Sequence, residues 1–383
     1  MNRCTKRCAV QLLTLVLAGV WLPSSAQNVT VRIGLVAPMS GPLAATGWAN
    51  AQGARLAIDE LNAKNIKLGT LSAKFQLLAE DDAGDPRQGV LAAQKLVDSG
   101  VKGVVGHQTS GSTIPASRVY AEAGIPQISP FTTSPKYTHQ GFKTAFRLIA
   151  DDTVLGQALA NYAVTKMGMR KFAVIDDRSA YGHGIAEEFS STVITAGGTV
   201  VGREYVTDKM TDFSAILTSL RATQPEAVFF GGMYAMAGPM LRQMKQLGMA
   251  TKMLGGDGIC DDELLKLAEG AVQDDQVYCA GPAGIDQNLI REFNLTFRTR
   301  FGSDAQIISA YSFDAVNLMV DAMQRASSAY PKKYLPFLAA TRAYAGVTGN
   351  ISFDANGDLL DPKISLYTFR RQHRMLIATM PGR

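Results

Sequence analysis

Long apolar runs are scarce in this chain. After residue 26 no stretch stays apolar over the ~20 residues that a membrane-spanning helix needs, which argues against an integral membrane protein. Cysteine and histidine are equally sparse, four of each in 383 residues. No CxxC pair and no histidine cluster occurs, so a metal centre is not expected. His107, His139, His183 and His373 are scattered, and neither a GxSxG elbow nor a P-loop is present. Nothing therefore assembles a catalytic set, and no cofactor is expected. Charge of one sign is missing too. The 38 basic and 33 acidic residues leave +5, of which Arg3, Lys6 and Arg7 contribute three, so beyond residue 26 the balance is 35 against 33. That balance removes the case for a nucleic-acid surface. The cluster Arg370, Arg371, His373 and Arg374 reads as a solvated strand end. Finally, no Pro/Gly/Ser-rich linker or low-complexity segment divides the chain, so any domains are joined by short ordered connections.

What is present begins with an export signal. Basic residues precede the apolar stretch Ala9–Leu22, and Ser24-Ser25-Ala26 supplies the small residues that a signal peptidase needs. Residues 1–26 are read as a cleaved signal peptide that carries the chain out of the cytoplasm. No cysteine follows the apolar stretch, which argues against a lipid anchor. Cys4 and Cys8 leave with the signal. Cys260 and Cys279 remain, either as a disulfide in an oxidising compartment or as two buried thiols.

From Val29 onward short aliphatic runs alternate with amphipathic stretches. TVRIGLVA, FQLLAE, VKGVVG, PQIS, FAVIDD, AVFFGG and DQVYCAG read as strands. AQGARLAIDELNAK and RQGVLAAQKLVDSG read as helices, the first with Ala54, Ala57, Ile58 and Leu61 on one face. Such alternation predicts an α/β fold of parallel sheets covered by helices on both faces. The length exceeds one core, since domains run about 50–200 residues, so two doubly wound lobes are expected. A long helical region, 306–343, precedes β-structure from Gly349 onward.

In such sheets ligands sit beyond the carboxyl ends of the strands, beside helix N-termini. After VKGVVG comes His107-Gln108-Thr109-Ser110-Gly111-Ser112-Thr113, entering a helix, where free N–H groups and the dipole favour an anion. A lone N-cap at Ser110 or Ser112 is the plainer reading, but the hydroxyls exceed what one cap needs. A second hydroxyl-rich turn, Ser129-Pro130-Phe131-Thr132-Thr133-Ser134-Pro135, follows the next strand. Further on, FAVIDD leads to Tyr181 and AVFFGG to Met233 and Tyr234. In Gly255-Gly256-Asp257-Gly258 a single carboxylate sits in a glycine turn, placed either for turn chemistry or to pair with an ammonium. Gly182 and Gly184 hint at a dinucleotide fingerprint, but Glu187 occupies the third glycine position.

In order and spacing, AEDDAGDP, GHQTSGSTIPAS, ISPFTTSP, DDRSAYGHG and FFGGMY resemble the periplasmic leucine/isoleucine/valine-binding proteins of ABC transporters. The resemblance spans the chain after the signal. It implies a type I periplasmic binding fold whose lobes, 27–148 plus 280–352 and 149–279 plus 353–383, are joined by a three-crossing hinge and close on the ligand. It further implies a monomeric, non-enzymatic protein that captures an amino acid (branched-chain, other aliphatic or aromatic) and delivers it to ABC permease subunits. By motif, Ser110 and Thr133 would hold the carboxylate, with Thr109 and Thr132 beside them. The main chain at Phe131, the Thr133 hydroxyl and Asp257 would take the ammonium, and Tyr181 and Met233 would cover the ligand. The family's aromatics at positions 46 and 233 are replaced by Thr46 and Met233, with Trp48 and Tyr234 as the nearby compensations. Its disulfide between positions 84 and 109 is absent, since Gly84 and Thr109 stand there. A sensor for an amide or another small carboxylate is the competing function on the same fold.

Overall fold

The computed structural model describes residues 28–207, 210–283 and 287–382; the expected signal peptide lies outside them. The chain opens with β1 (Asn28–Ala37), α1 (Ala44–Ala63), β2 (Lys67–Leu68), β3 (Leu71–Asp81), α2 (Pro86–Asp98), β4 (Gly103–Val105), α3 (Ser110–Ala123), β5 (Gln127–Ser129) and β6 (Ala145–Arg147). These strands form one sheet in the order β2-β3-β1-β4-β5-β6, parallel except where β2 meets β3. The chain then crosses into α4 (Asp152–Thr165), β7 (Lys171–Asp176), α5 (Ala180–Thr195), β8 (Thr199–Tyr205), α6 (Ser214–Ala222), β9 (Ala227–Gly231), α7 (Tyr234–Gln246), β10 (Lys252–Gly255), α8 (Glu263–Ala268) and β11 (Val277–Pro282). It returns through α9 (Gln287–Phe301), α10 (Ile307–Arg325), α11 (Pro331–Ala339) and the small hairpin β12 (Tyr344–Gly346) and β13 (Gly349–Ile351). It finishes in the second lobe with β14 (Lys363–Arg370) and β15 (His373–Pro381), which extend that sheet antiparallel in the order β15-β14-β11-β10-β9-β7-β8.

Helices on both faces explain why the central strands are apolar throughout. In β9, Val228 and Phe230 enter one core with Met240 and Leu241, while Ala227 and Phe229 enter another with Leu159 and Phe189. This is the alternation a pleated strand imposes. In the first lobe Ile33, Leu35, Phe75, Met319 and Phe353 share a core. There α1 lies so close to α10 that a Cβ on Gly53 would fall 2.0 Å from the Ser309 carbonyl oxygen. The expected helical region 306–343 is two helices, broken where Pro331 begins α11.

The crossings sit a little away from the expected lobe limits. Ile149 packs in the first-lobe core and Ala150 in the second. Strand β11 continues past residue 280 to Pro282, because Gly281 and Pro282 pair with Ser365 and Ile364 of β14. Residues 353–361 stay with the first lobe. Phe353 is in its core, the Gly357 carbonyl accepts from Arg147 N–H at 3.0 Å, and Asp358 accepts from the Arg147 guanidinium at 2.5 Å. Cys260 and Cys279 form a disulfide beside the end of β10, resolving the two readings of that pair.

Candidate functional site

The ends of β4 and β5 hold the two hydroxyl turns. Thr109, not Ser110 or Ser112, caps α3: its hydroxyl accepts from Ser112 N–H at 3.4 Å. Ser110 is therefore free of capping, and its Oγ instead accepts from Ser134 N–H at 3.2 Å, which ties the turns together. Thr113 and Thr132 hydroxyls make a second tie at 2.5 Å. Beneath them the fully buried His107 ring is 2.8 Å from Asp82 and 3.1 Å from the Tyr120 hydroxyl. His107 is thus a structural support, and its ring is not paired with Ser110.

The sequence reading overlooked Arg147. Its guanidinium, wholly buried, donates to the carbonyls of Thr132 and Ser134, both at 2.9 Å, to Thr138 Oγ1 at 2.6 Å and to Asp358. This fork holds the Thr132–Ser134 loop in place. Burial raises the Asp358 carboxyl, but the Arg147 charge and hydrogen bonds from Thr138, Arg147 and His139 outweigh it and hold the carboxyl below its ordinary value.

The second lobe supplies the opposing wall. Tyr181, in the first turn of α5, accepts from Gly258 N–H at 2.8 Å through its hydroxyl. A side chain at 258 would collide with that ring, since a Cβ there falls 2.7 Å from Tyr181 Cε1. The glycine turn thus lets Tyr181 lie against Asp257. One Asp257 carboxylate oxygen is sealed from solvent and accepts no hydrogen bond. Burial pushes this carboxyl up to about 7 despite the neighbouring Tyr181 hydroxyl. The Tyr234 hydroxyl is buried beside Thr46 of the first lobe.

One interlobe pocket is walled by Thr46, Thr109, Ser110, Phe131, Thr133, Tyr181, Met233, Tyr234 and Asp257. Two expected residues are not on the wall. Trp48 is 57% exposed, because two residues along α1 from Thr46 is about 200° of rotation and turns it to the opposite face. The Thr132 hydroxyl is turned inward to Thr113, within 3.4 Å of the carbonyls of His107 and Gln108, so it braces the turn. The wall also includes Leu43, Gln108, Asp261, Ile307 and Ile308, which the sequence did not single out. Leu43, from the first lobe, packs against the second-lobe core, so the lobes are closed together. Gln108 donates to Thr46 Oγ1 at 2.8 Å and accepts from Asn50 at 3.2 Å, giving that end of the pocket a polar lining. A roomier groove lies at the hinge near Pro282, Thr348 and Ile351, but no buried unpaired side-chain atom of the described residues belongs to its wall.

Residues 30–372 match the periplasmic binding protein family. The chain belongs to that family. Its members are binding proteins of ABC transporters, not enzymes, and the family is periplasmic. A Leu/Ile/Val-binding protein homologue of Brucella abortus is 34% identical over 341 residues, covering 89% of this chain and 91% of its own. The leucine-, isoleucine-, valine-, threonine- and alanine-binding protein of Pseudomonas aeruginosa is 31% identical, with 97% and 98% covered. Among solved structures, the branched-chain amino acid transporter substrate-binding protein LivJ of Streptococcus pneumoniae, crystallised with isoleucine, superposes with a TM-score of 0.83 at 28% identity, covering 92% of this chain and 99% of that one. No helix among the described residues is long and apolar enough to cross a membrane.

Proposed function

We propose that this periplasmic binding protein is the amino-acid-capturing component of an ABC importer, which closes its lobes on an aliphatic amino acid and presents the closed form to the permease. One observation carries the reading: a neutral cradle of hydroxyls and N–H groups at Ser110 and Thr133 faces the Asp257 carboxylate, one oxygen of which has no partner, across a single pocket. Dipoles at helix and strand ends solvate a carboxylate without a buried cation, and Asp257 balances an ammonium. In this reading Ser110 and Thr133 hold the carboxylate. Asp257, the Thr133 hydroxyl and the Phe131 main chain hold the ammonium, and Tyr181, Met233 and Tyr234 cover the rest. The Leu/Ile/Val-binding relatives support the aliphatic choice, and Phe131, Met233, Ile307 and Ile308 supply apolar wall for it. Closure excludes water, which strengthens both charge contacts, and hinge motion couples binding to recognition by the transporter.

We also infer that residues 1–26 are removed on export, so that the mature protein begins at Gln27; the intact mass of the protein recovered from periplasm tests this. For the ligand, a thermal-shift screen followed by calorimetry should show stabilisation by leucine, isoleucine or valine and none by their deaminated analogues. Stabilisation by the analogues alone would refute the amino-acid reading.

A further inference from the structure

Two carboxylates, rather than one, are buried beside the pocket with no ion-pair partner among the described residues. Asp152 begins α4 at the first hinge crossing, and its N–H donates to the Thr133 carbonyl at 2.8 Å. Its side chain is wholly buried, and beyond the adjacent Thr133 side chain it has no hydrogen-bond partner. Helix capping does not account for it, because the preceding Asp151 performs that task, accepting from Val154 N–H at 3.0 Å. The carboxylate instead lies behind Thr133 and faces α5, where a Cβ on Gly184 would sit 3.6 Å from Oδ2. Arg147 acts on it from a distance but is already engaged by Asp358, Thr138 and two loop carbonyls.

Burying one carboxylate without hydrogen bonds is unfavourable, and burying two near each other compounds the cost. Burial and the charge of Asp257 both push the Asp152 carboxyl well up, and Tyr181, lying near both, is raised by burial and by each of them. The empty closed cleft therefore disfavours the charged form of both carboxyls, and a positive group brought by a ligand would restore it.

Resting on the amino-acid reading above, we propose that Asp152 is the second carboxylate of the ammonium site, placed behind Thr133 so that, with Asp257, it makes a positive group on the ligand a condition of entry. An ammonium has three N–H donors, which suits a site made of Asp257, the Thr133 hydroxyl and the field of Asp152. Asp152 is then a specificity-determining charge: it disfavours carboxylic acids that lack an amine, whatever their hydrocarbon part.

The test is Asp152→Asn in the mature chain, with Asp257→Asn alongside, titrated calorimetrically with leucine and with its deaminated analogue 4-methylpentanoate. Asp152→Asn should weaken leucine at least tenfold and leave the analogue unchanged or tighter. It should also keep or raise the melting temperature of the ligand-free protein, since a buried acid that is costly to charge is replaced by a neutral amide. Leucine affinity within twofold of wild type would overturn the assignment. So would weaker leucine binding accompanied by a lower melting temperature of the ligand-free protein, because that marks a structural role. If Asp257→Asn loses leucine while Asp152→Asn does not, the functional reading stands and this assignment falls. If the wild-type protein itself does not bind leucine, the functional reading fails first and the assignment fails with it.

Discussion

Replacing Arg147 by methionine removes one partner of a buried ion pair and leaves the other in place. Asp358 would keep its hydrogen bonds from Thr138 and His139 but lose the guanidinium, and the carbonyls of Thr132 and Ser134 would lose their donors. Stranding a buried charge costs about 3–5 kcal/mol. A buried acceptor left unpaired costs about 1–3 kcal/mol, part of which water entering the loop recovers. The stranded charge alone, about 3–5 kcal/mol, corresponds to a fall of about 6–20 °C in melting temperature for a lobe of this size, and the two carbonyls add to it. The Arg147→Met/Asp358→Leu double variant should recover much of the loss, since replacing both partners of a buried pair by apolar groups is often neutral. Asp358 also sets the pH dependence. Its folded value lies below its ordinary value, so the pair stabilises above the unfolded value and is lost as pH falls through the folded one. The penalty of Arg147→Met should therefore shrink below about pH 4. Differential scanning fluorimetry of wild type, both single variants and the double variant at pH 7 and pH 3.5 measures each quantity. A single variant as stable as wild type, or a double variant no better than Arg147→Met alone, would refute this account of the loop.

Asp257→Ala should weaken amino-acid binding by about 2–5 kcal/mol, as removal of one partner of a buried charge pair does, and Ser110→Ala by about 1–3 kcal/mol; calorimetry showing unchanged affinity would take either residue out of the site. Without ligand, closure raises the Asp257 carboxyl to about 7 while opening hydrates it, so the closed form binds more protons. The empty closed form should then become rarer as pH rises from about 4 through 7, by up to about 4 kcal/mol. Small-angle scattering of the ligand-free protein at pH 5 and 8 reads this as a larger radius at pH 8, and an equal or smaller radius contradicts it. Replacing Cys260 and Cys279 together by alanine should cost about 3 kcal/mol, the loop-closure entropy of a bridge spanning 19 residues; denaturant unfolding with and without reductant checks this.

Much of the fold was legible because its signals are local. Apolar runs such as AVFFG, bounded by Gly and Pro, mark strands buried on both faces, and the helical periodicity of α1 marks its packed side. Strand β6 escaped notice because Ala145–Arg147 is too short to show a period. The lobe limits shifted because residues 353–361 carry no boundary signal of their own, and only Phe353 packing and the Asp358–Arg147 pair assign them to the first lobe. At the site, hydroxyls at strand ends and one acid in a glycine turn were readable as chemistry. Trp48 misled because proximity along a helix is not proximity in space.

The sequence alone determined that two hydroxyl-rich turns end successive parallel strands and that Asp257 sits in a glycine turn, since strand periodicity, turn chemistry and charge are properties of short segments. Tertiary structure decided which of these groups meet. Closure of the lobes set Tyr181, Tyr234 and Asp257 against Ser110 and Thr133, while the turn of α1 directs Trp48 away and Thr113 draws Thr132 inward. Tertiary packing also buried Arg147 with a charged partner and Asp152 without one. That distinction depends on where residues far apart in the chain come to rest, because a buried charge is stabilised or stranded by what stands beside it in space.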